Sequence, residues 1–267
     1  MLIDSHCHLD PTAFDDAGEV LTRARAAGVS GFVVIGVAKT LDAARFAAKL
    51  AEERDDTRAV VGVHPHDASA LTDEMLAELG AIARGASVAA IGEMGLDYHY
   101  MSSPMDAQKE AFRRQIALAR SVGKPIVVHT RSAPDDTIAI LAEEGARDVG
   151  GVIHCFSEDK AFAAKALDLN FDLSFSGIVT FKSAASVHEV AAWAPLDRIL
   201  IETDSPYLAP VPLRGKTCEP AFLVHTAKRV AALRGASIDA IARATTENAQ
   251  RLFKGLRARD GAPAAAS

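Results

Sequence analysis

Leu2-Ile-Asp-Ser-His-Cys-His8 lies at the start of the chain, and Ile199-Leu-Ile-Glu-Thr-Asp204 lies near its other end. Both are short apolar runs that finish on side chains able to bind a metal. A β-strand alternates its side chains between faces, so His6 and His8 point one way and Cys7 the other. Three more runs finish in the same manner: Ala89-Ala-Ile-Gly-Glu93, Pro125-Ile-Val-Val-His129 and Gly151-Val-Ile-His154. Buried strands that carry imidazole or carboxylate at their carboxyl ends suggest one convergent site built from many strands, as in a divalent-metal hydrolase.

Working outward, residues 2–8, 31–37, 59–64, 88–93, 125–130, 152–156, 171–176 and 199–203 read as buried strands. Each is short, apolar or β-branched, and bounded by Gly, Pro or polar residues. Helical stretches alternate with them. In 106–122, Phe112, Ile116, Ala119 and Val122 form a stripe at helical spacing, with Asp106 as the expected N-cap. Pro134 followed by Asp135 and Asp136 suits the first turn of another helix, and two more are expected over 219–234 and 237–256.

Eight strands alternating with helices indicate a parallel sheet, either doubly wound or closed. A doubly wound sheet collects its site at one switch point, whereas a barrel gathers the ends of strands distant in sequence. Here the candidates follow the first, fourth, fifth, sixth and eighth strands, and only closure brings the first and eighth together. The expectation is a TIM-type (β/α)8 barrel with a metal site at the carboxyl ends of its strands. It forms a single domain over 1–257, with a disordered C-terminal tail over 258–267.

Composition narrows the class. The chain has 267 residues, 49% of them hydrophobic, and its apolar runs are too short for a membrane span. Asp4 interrupts the N-terminus before any basic region, so no signal peptide is expected. Three cysteines, with no Cys-x-x-Cys pair, fit a reducing cytoplasm and argue against a thiolate zinc site. A net charge of −6 argues against gripping duplex DNA by broad phosphate neutralisation. It leaves room for a phosphate substrate held by metals and a few local cations. No membrane and no obligate protein partner is indicated.

Each candidate has a plainer reading. A lone strand-end histidine is more often a hydrogen-bonded structural residue than a ligand, Asp204 before Ser205-Pro206 suits an ordinary turn, and Glu93 can cap or pair with a cation. The six together at one end of one sheet are much harder to dismiss.

The motifs Asp4-Ser-His-Cys-His-Leu-Asp10, Gly62-Val-His-Pro-His66, Ile91-Gly-Glu-Met-Gly-Leu-Asp97, Val128-His-Thr-Arg131, His154-Cys-Phe-Ser157 and Glu202-Thr-Asp-Ser-Pro-Tyr-Leu-Ala-Pro210 resemble those of the TatD family of metal-dependent deoxyribonucleases. That family sits within the amidohydrolase-like barrel superfamily, and the resemblance spans about residues 2–254. It implies His6, His8, Glu93 and Asp204 at one metal, and Glu93, His129 and His154 at a second, with Glu93 bridging. Leu213, Cys218 and Phe222 depart from the histidine, asparagine and tyrosine usual there.

Two divalent cations polarise a phosphoryl oxygen and lower the pKa of a bridging water. Asp204 is the candidate to take that water's proton, with Glu93 the second catalytic carboxylate. Imidazole ligands favour Zn, Mn, Co or Fe over Mg, although the resemblance also admits Mg. His64, Arg131, Arg214 and Lys216 are the substrate-binding candidates, and Tyr98 or Tyr207 can stack on a base. Cys7 and Cys155 neighbour ligands but are expected to face away as apolar fillers. The implied activity is hydrolysis of DNA from a 3′ end on single strands. The alternative is an amide or ester hydrolase using the same metals, such as a D-aminoacyl-tRNA deacylase.

Overall fold

The structure, a computed structural model, describes residues 1–259. Its eight strands are β1 Leu2–Cys7, β2 Val29–Val37, β3 Thr57–Gly62, β4 Val88–Asp97, β5 Ile126–Arg131, β6 Gly151–Ile153, β7 Phe171–Phe175 and β8 Ile199–Ile201. They pair in sequence order, every neighbour parallel. Helices α1 Ala17–Ala26, α2 Asp42–Glu52, α3 Asp73–Ala83, α4 Met105–Val122, α5 Pro134–Glu143, α6 Lys160–Asp168 and α7 Ala185–Trp193 fill the successive crossovers. Helices α8 Leu223–Arg234 and α9 Ile238–Leu252 follow the last strand. This is the (β/α)8 barrel that strand order and ligand spacing indicate. Among the described residues no helix is long and apolar enough to cross a membrane.

The barrel shuts where β1 meets the end of β8. Asp204 N–H donates to the His6 carbonyl (3.0 Å), and His8 N–H donates to the Ser205 carbonyl (2.9 Å). Side chains reinforce this seam. The buried Asp4 carboxylate accepts from Thr203 N–H (3.0 Å) and the Thr203 hydroxyl (2.6 Å), while the Ser5 hydroxyl donates to the Ile201 carbonyl (3.0 Å). Burial pushes the Asp4 carboxyl up to about 8, against those hydrogen bonds.

Two apolar layers result from strand alternation. Inside, Ile3, Val33, Ile35, Val60, Val127, Val152 and Leu200 pack with Phe253 and Leu256, which follow α9 and plug the amino-terminal end. Outside, Leu2, Phe32, Val34, Val61, Ile126, Val128, Leu173 and Ile201 meet the helices.

The helix limits differ locally from the reading of the sequence. Helix α4 begins at Met105, so Asp106 lies in its first turn, facing the helix dipole, rather than at the N-cap, which is Pro104. The segment 219–234 starts with a short turn, Pro220–Phe222, before α8. Ser237 caps α9 by accepting from Ala240 N–H (3.2 Å). Strand β4 runs four residues past Glu93, to Asp97. The tail expected from residue 258 lies, from residue 260 onward, outside the described residues. Ala258 packs against the inner cluster, and Arg259 pairs with Asp55 (3.0 Å).

Strand β4 approaches β5 closely because Gly95 has no side chain. Its φ is +140°, and a Cβ there would stand 2.0 Å from the His129 carbonyl oxygen. Gly123 also has positive φ (+66°), at the end of α4, but a Cβ there would meet nothing within 4 Å. Gly95→Ala is therefore expected to cost about 3 kcal/mol or more in urea unfolding, and Gly123→Ala about 1 kcal/mol, the backbone cost alone. Equal losses would show that the β4–β5 approach is not the constraint.

Candidate metal centre

Two local irregularities turn the key side chains inward. On β4, Ile91 and Met94 both pack outside although they are three residues apart, and the β4–β5 register shifts between them. Glu93 and Asp97 consequently face the barrel axis. On β1 the register shifts between Asp4 and Cys7, with Leu2 and Cys7 both outside, and His6 and His8 face inward. Extra residues of this kind re-aim side chains beside functional sites. Asp204 follows β8 in a left-handed conformation (φ +57°), held by its own N–H on the His6 carbonyl and by Tyr207 N–H on its carbonyl (2.9 Å). That turn directs its carboxylate back toward the histidines.

The Glu93 carboxylate, 3% exposed, stands between two groups of imidazoles. Its Oε2 is 3.3 Å from His6 Nε2 and 3.9 Å from His8 Nε2. Its Oε1 is 2.8 Å from His154 Nε2, 3.0 Å from His129 Nδ1 and 3.4 Å from His64 Nε2. Asp204 Oδ1 completes the first group, 3.6 Å from both His6 Nε2 and His8 Nε2. All six predicted ligands converge here, and His64 stands with them.

The protonation tendencies follow from this crowding. Burial raises the Glu93 carboxyl, but the imidazoles of His154, His64 and His129 outweigh it and hold the group well below the usual carboxylate range. Asp204 behaves alike, burial being outweighed by His8 and His6. Burial lowers His6 and His64. His154 is raised well above its ordinary value because Glu93 and Glu202 overcome burial, and His129 is raised because Asp97 and Glu93 do.

This donor set fits divalent cations. Ring nitrogens of His6 and His8 face each other at 3.3 Å, and His6 Nδ1 is buried without a hydrogen-bond partner. Ligand atoms of His6, His8 and Glu93, and separately those of His64, Glu93 and His129, lie within 4.8 Å of one another. Imidazoles are neutral when they bind a metal, so two carboxylates among them would leave a pair of divalent ions net positive, which suits an anionic substrate.

Two carboxylates that back the candidate ligands are given no role by the reading of the sequence. Asp97 Oδ2 lies 2.9 Å from His66 Nε2 and 3.3 Å from His129 Nε2, while its Oδ1 accepts from His99 and Tyr100 N–H (2.9 Å each). Asp97 thus orients His129 from behind and anchors the following loop. Glu202 does likewise for His154, with Oε1 3.3 Å from Nδ1 and accepting from Cys155 N–H (2.6 Å). Asp97 is separated from Glu93 by two strand repeats and Glu202 precedes Asp204 by one, so spacing offered the signal.

A cleft of about 630 Å³ opens over the centre, lined by the candidate ligands His8, Glu93, His129, His154 and Asp204 and by His64, His66, Arg131, Tyr100 and Tyr207. Arg131 lies over the Tyr100 ring, 4.6 Å from its centroid. Arg214 and Lys216 are exposed and are not among the lining residues, and the Arg214 guanidinium covers the Phe181 ring at 4.0 Å. Tyr98 is turned away, its hydroxyl donating to Asp136 (2.7 Å). Cys7 is buried in the outer layer, but Cys155 lines the cleft, its Sγ 3.2 Å from the Ser176 hydroxyl. Burial pushes both thiols well above their ordinary value, which leaves them poor nucleophiles.

The profile of the family described as TatD related DNase matches residues 3–254. The chain belongs to the TatD family. YabD of Bacillus subtilis strain 168, named an uncharacterized metal-dependent hydrolase, is 46% identical over 256 residues, covering 95% of this chain and 99% of YabD. A protein of Pantoea ananatis named 3′-5′ ssDNA/RNA exonuclease TatD is 34% identical over 259 residues, covering 94% of this chain and 99% of the relative. Among solved structures, the TatD homologue YjjV of Escherichia coli K12 superposes with a TM-score of 0.87 at 29% identity, covering 94% of this chain and 97% of YjjV. With the family goes a metal-dependent hydrolase, and the described residues bring together histidines and Glu93 that could hold a metal ion.

Saturation with Mn or Zn, followed by metal analysis, is expected to find two ions per chain. Glu93→Gln should hold at most one, and Asp97→Asn should weaken affinity about 10- to 100-fold by releasing His129. One ion or fewer on saturated wild-type protein would overturn the two-ion expectation.

Proposed function

We propose that this TatD protein is a deoxyribonuclease that hydrolyses phosphodiester bonds at the 3′ end of single-stranded DNA. The observation that carries the reading is the division of the Glu93 oxygens between two imidazole groups, with Asp204 on one side. His6, His8, Glu93 and Asp204 would hold one ion, and Glu93, His129 and His154 the other. Such ions, when bound, supply Lewis acidity toward a phosphoryl oxygen and a water of lowered pKa. The name of the Pantoea ananatis relative supports the substrate class and the polarity.

The remaining steps belong to the chain. Asp204 is held as its anion beside His8 and His6, so it accepts the proton of the attacking water. Attack at phosphorus breaks the bond to the 3′ oxygen of the preceding nucleotide, and that oxygen takes up the proton. Arg131, on the cleft wall, offers its guanidinium to a non-bridging phosphate oxygen. His64 stands on the Oε1 side of Glu93 and approaches the same phosphate. Arg214 and Lys216 stand back from the cleft, so any contact they make is with nucleotides farther along the strand.

Purified protein with Mn should shorten a 5′-labelled oligonucleotide one nucleotide at a time, and chelation should stop it. Asp204→Asn should lower kcat by about 10²- to 10⁴-fold with the fold intact by circular dichroism. An aminoacylated tRNA assayed in parallel tests the ester alternative. Hydrolysis of that ester, with DNA untouched, would overturn the nuclease reading.

A further inference from the structure

Tyr100 and Tyr207 are exposed by 59% and 61%, and both line the cleft mouth. Their backbones are nevertheless held by the site. Tyr100 N–H donates to Asp97 Oδ1 (2.9 Å), and Tyr207 N–H donates to the Asp204 carbonyl (2.9 Å). The rings flank opposite halves of the centre. Tyr207 meets the edge of His8 with centroids 6.1 Å apart, on the side of Asp204. Tyr100 meets the edge of His66 at 5.5 Å, and His66 in turn contacts His64 and His129 on the other side. Arg131 covers the Tyr100 ring and is the single guanidinium or ammonium lining the cleft among the described residues.

We infer that Tyr100 and Tyr207 are base-stacking platforms, one for each nucleoside joined by the scissile phosphate. The inference rests on the phosphodiesterase reading above and adds what recognises the rest of the substrate. A phosphodiester carries a nucleoside on either side of phosphorus, and the two rings stand on either side of the centre. Among the described residues the cleft lacks the row of cations that would track a long backbone, so stacking supplies the binding that charge does not. An aromatic face accepts every base, which makes the site tolerant of sequence. It needs bases free of pairing partners, which selects single strands. Arg131, stacked on Tyr100, brings its charge to the phosphate between them.

The test compares a short oligonucleotide with one whose two 3′-terminal nucleotides are abasic. Wild-type protein should favour the intact substrate in kcat/KM by about 5- to 150-fold. In Tyr207→Ala and in Tyr100→Ala that preference should fall toward one, and Tyr→Phe at either position should restore it. Anisotropy of a 5′-labelled trinucleotide in chelator, without turnover, should show the same ranking in affinity. Hydrolysis with an undiminished preference in both alanine variants would overturn the inference and leave the phosphodiesterase reading standing. Wild-type protein that cuts neither substrate would overturn that reading, and this inference with it.

Discussion

A carboxylate withdrawn from water at the axis of a barrel is costly unless opposite charge or hydrogen-bond donors surround it. Glu93 meets that condition on both oxygens at once, with the imidazole of His6 on β1 on one side and those of His129 on β5 and His154 after β6 on the other. Much of the upper barrel follows from this requirement. The β4 register slips between Ile91 and Met94 to bring Glu93 inward. Gly95 then lets the displaced strand lie against the His129 carbonyl. The candidate ligands His129 and His154 are in turn backed by Asp97 and Glu202, which set which ring nitrogen faces the centre.

Closure of the sheet serves the same centre. His6 lies on β1 and Asp204 just after β8, near the two ends of the sequence, yet their backbones share a hydrogen bond of 3.0 Å. Asp4 binds the segment that carries Asp204, so the seam that completes the barrel also completes the first ligand group. Stability and site geometry are coupled here.

Electrostatics divide the molecule by depth. The interior end is apolar and plugged by Phe253 and Leu256, and the open end concentrates anions and imidazoles in a cleft. An overall charge of −6 gives no long-range pull on a polyanion. Among the described residues Arg131 alone brings a guanidinium or ammonium to the cleft, so under the proposed reading attraction for an anionic substrate would be local, shared between Arg131 and any cations held by the candidate ligands.

The sequence by itself determined the alternation of strands and helices, the barrel and the six convergent candidates. Apolar runs ending in imidazole or carboxylate are visible without coordinates, because burial and strand period are local properties. Asp97 and Glu202 were legible only as spacings, since a carboxylate that orients a ligand looks like any other acid on a strand. Arg214 and Lys216, read as substrate contacts from their place after β8, stand outside the cleft because their loop's path depends on packing such as that on Phe181. Only the tertiary structure decided which faces pointed inward. Strict alternation puts Ile91 and Glu93 on one face, and a register shift separates them. Such a shift is set by the pairing of neighbouring strands, distant in sequence, and by the need to bury a charge among its partners, so no single strand's pattern reveals it.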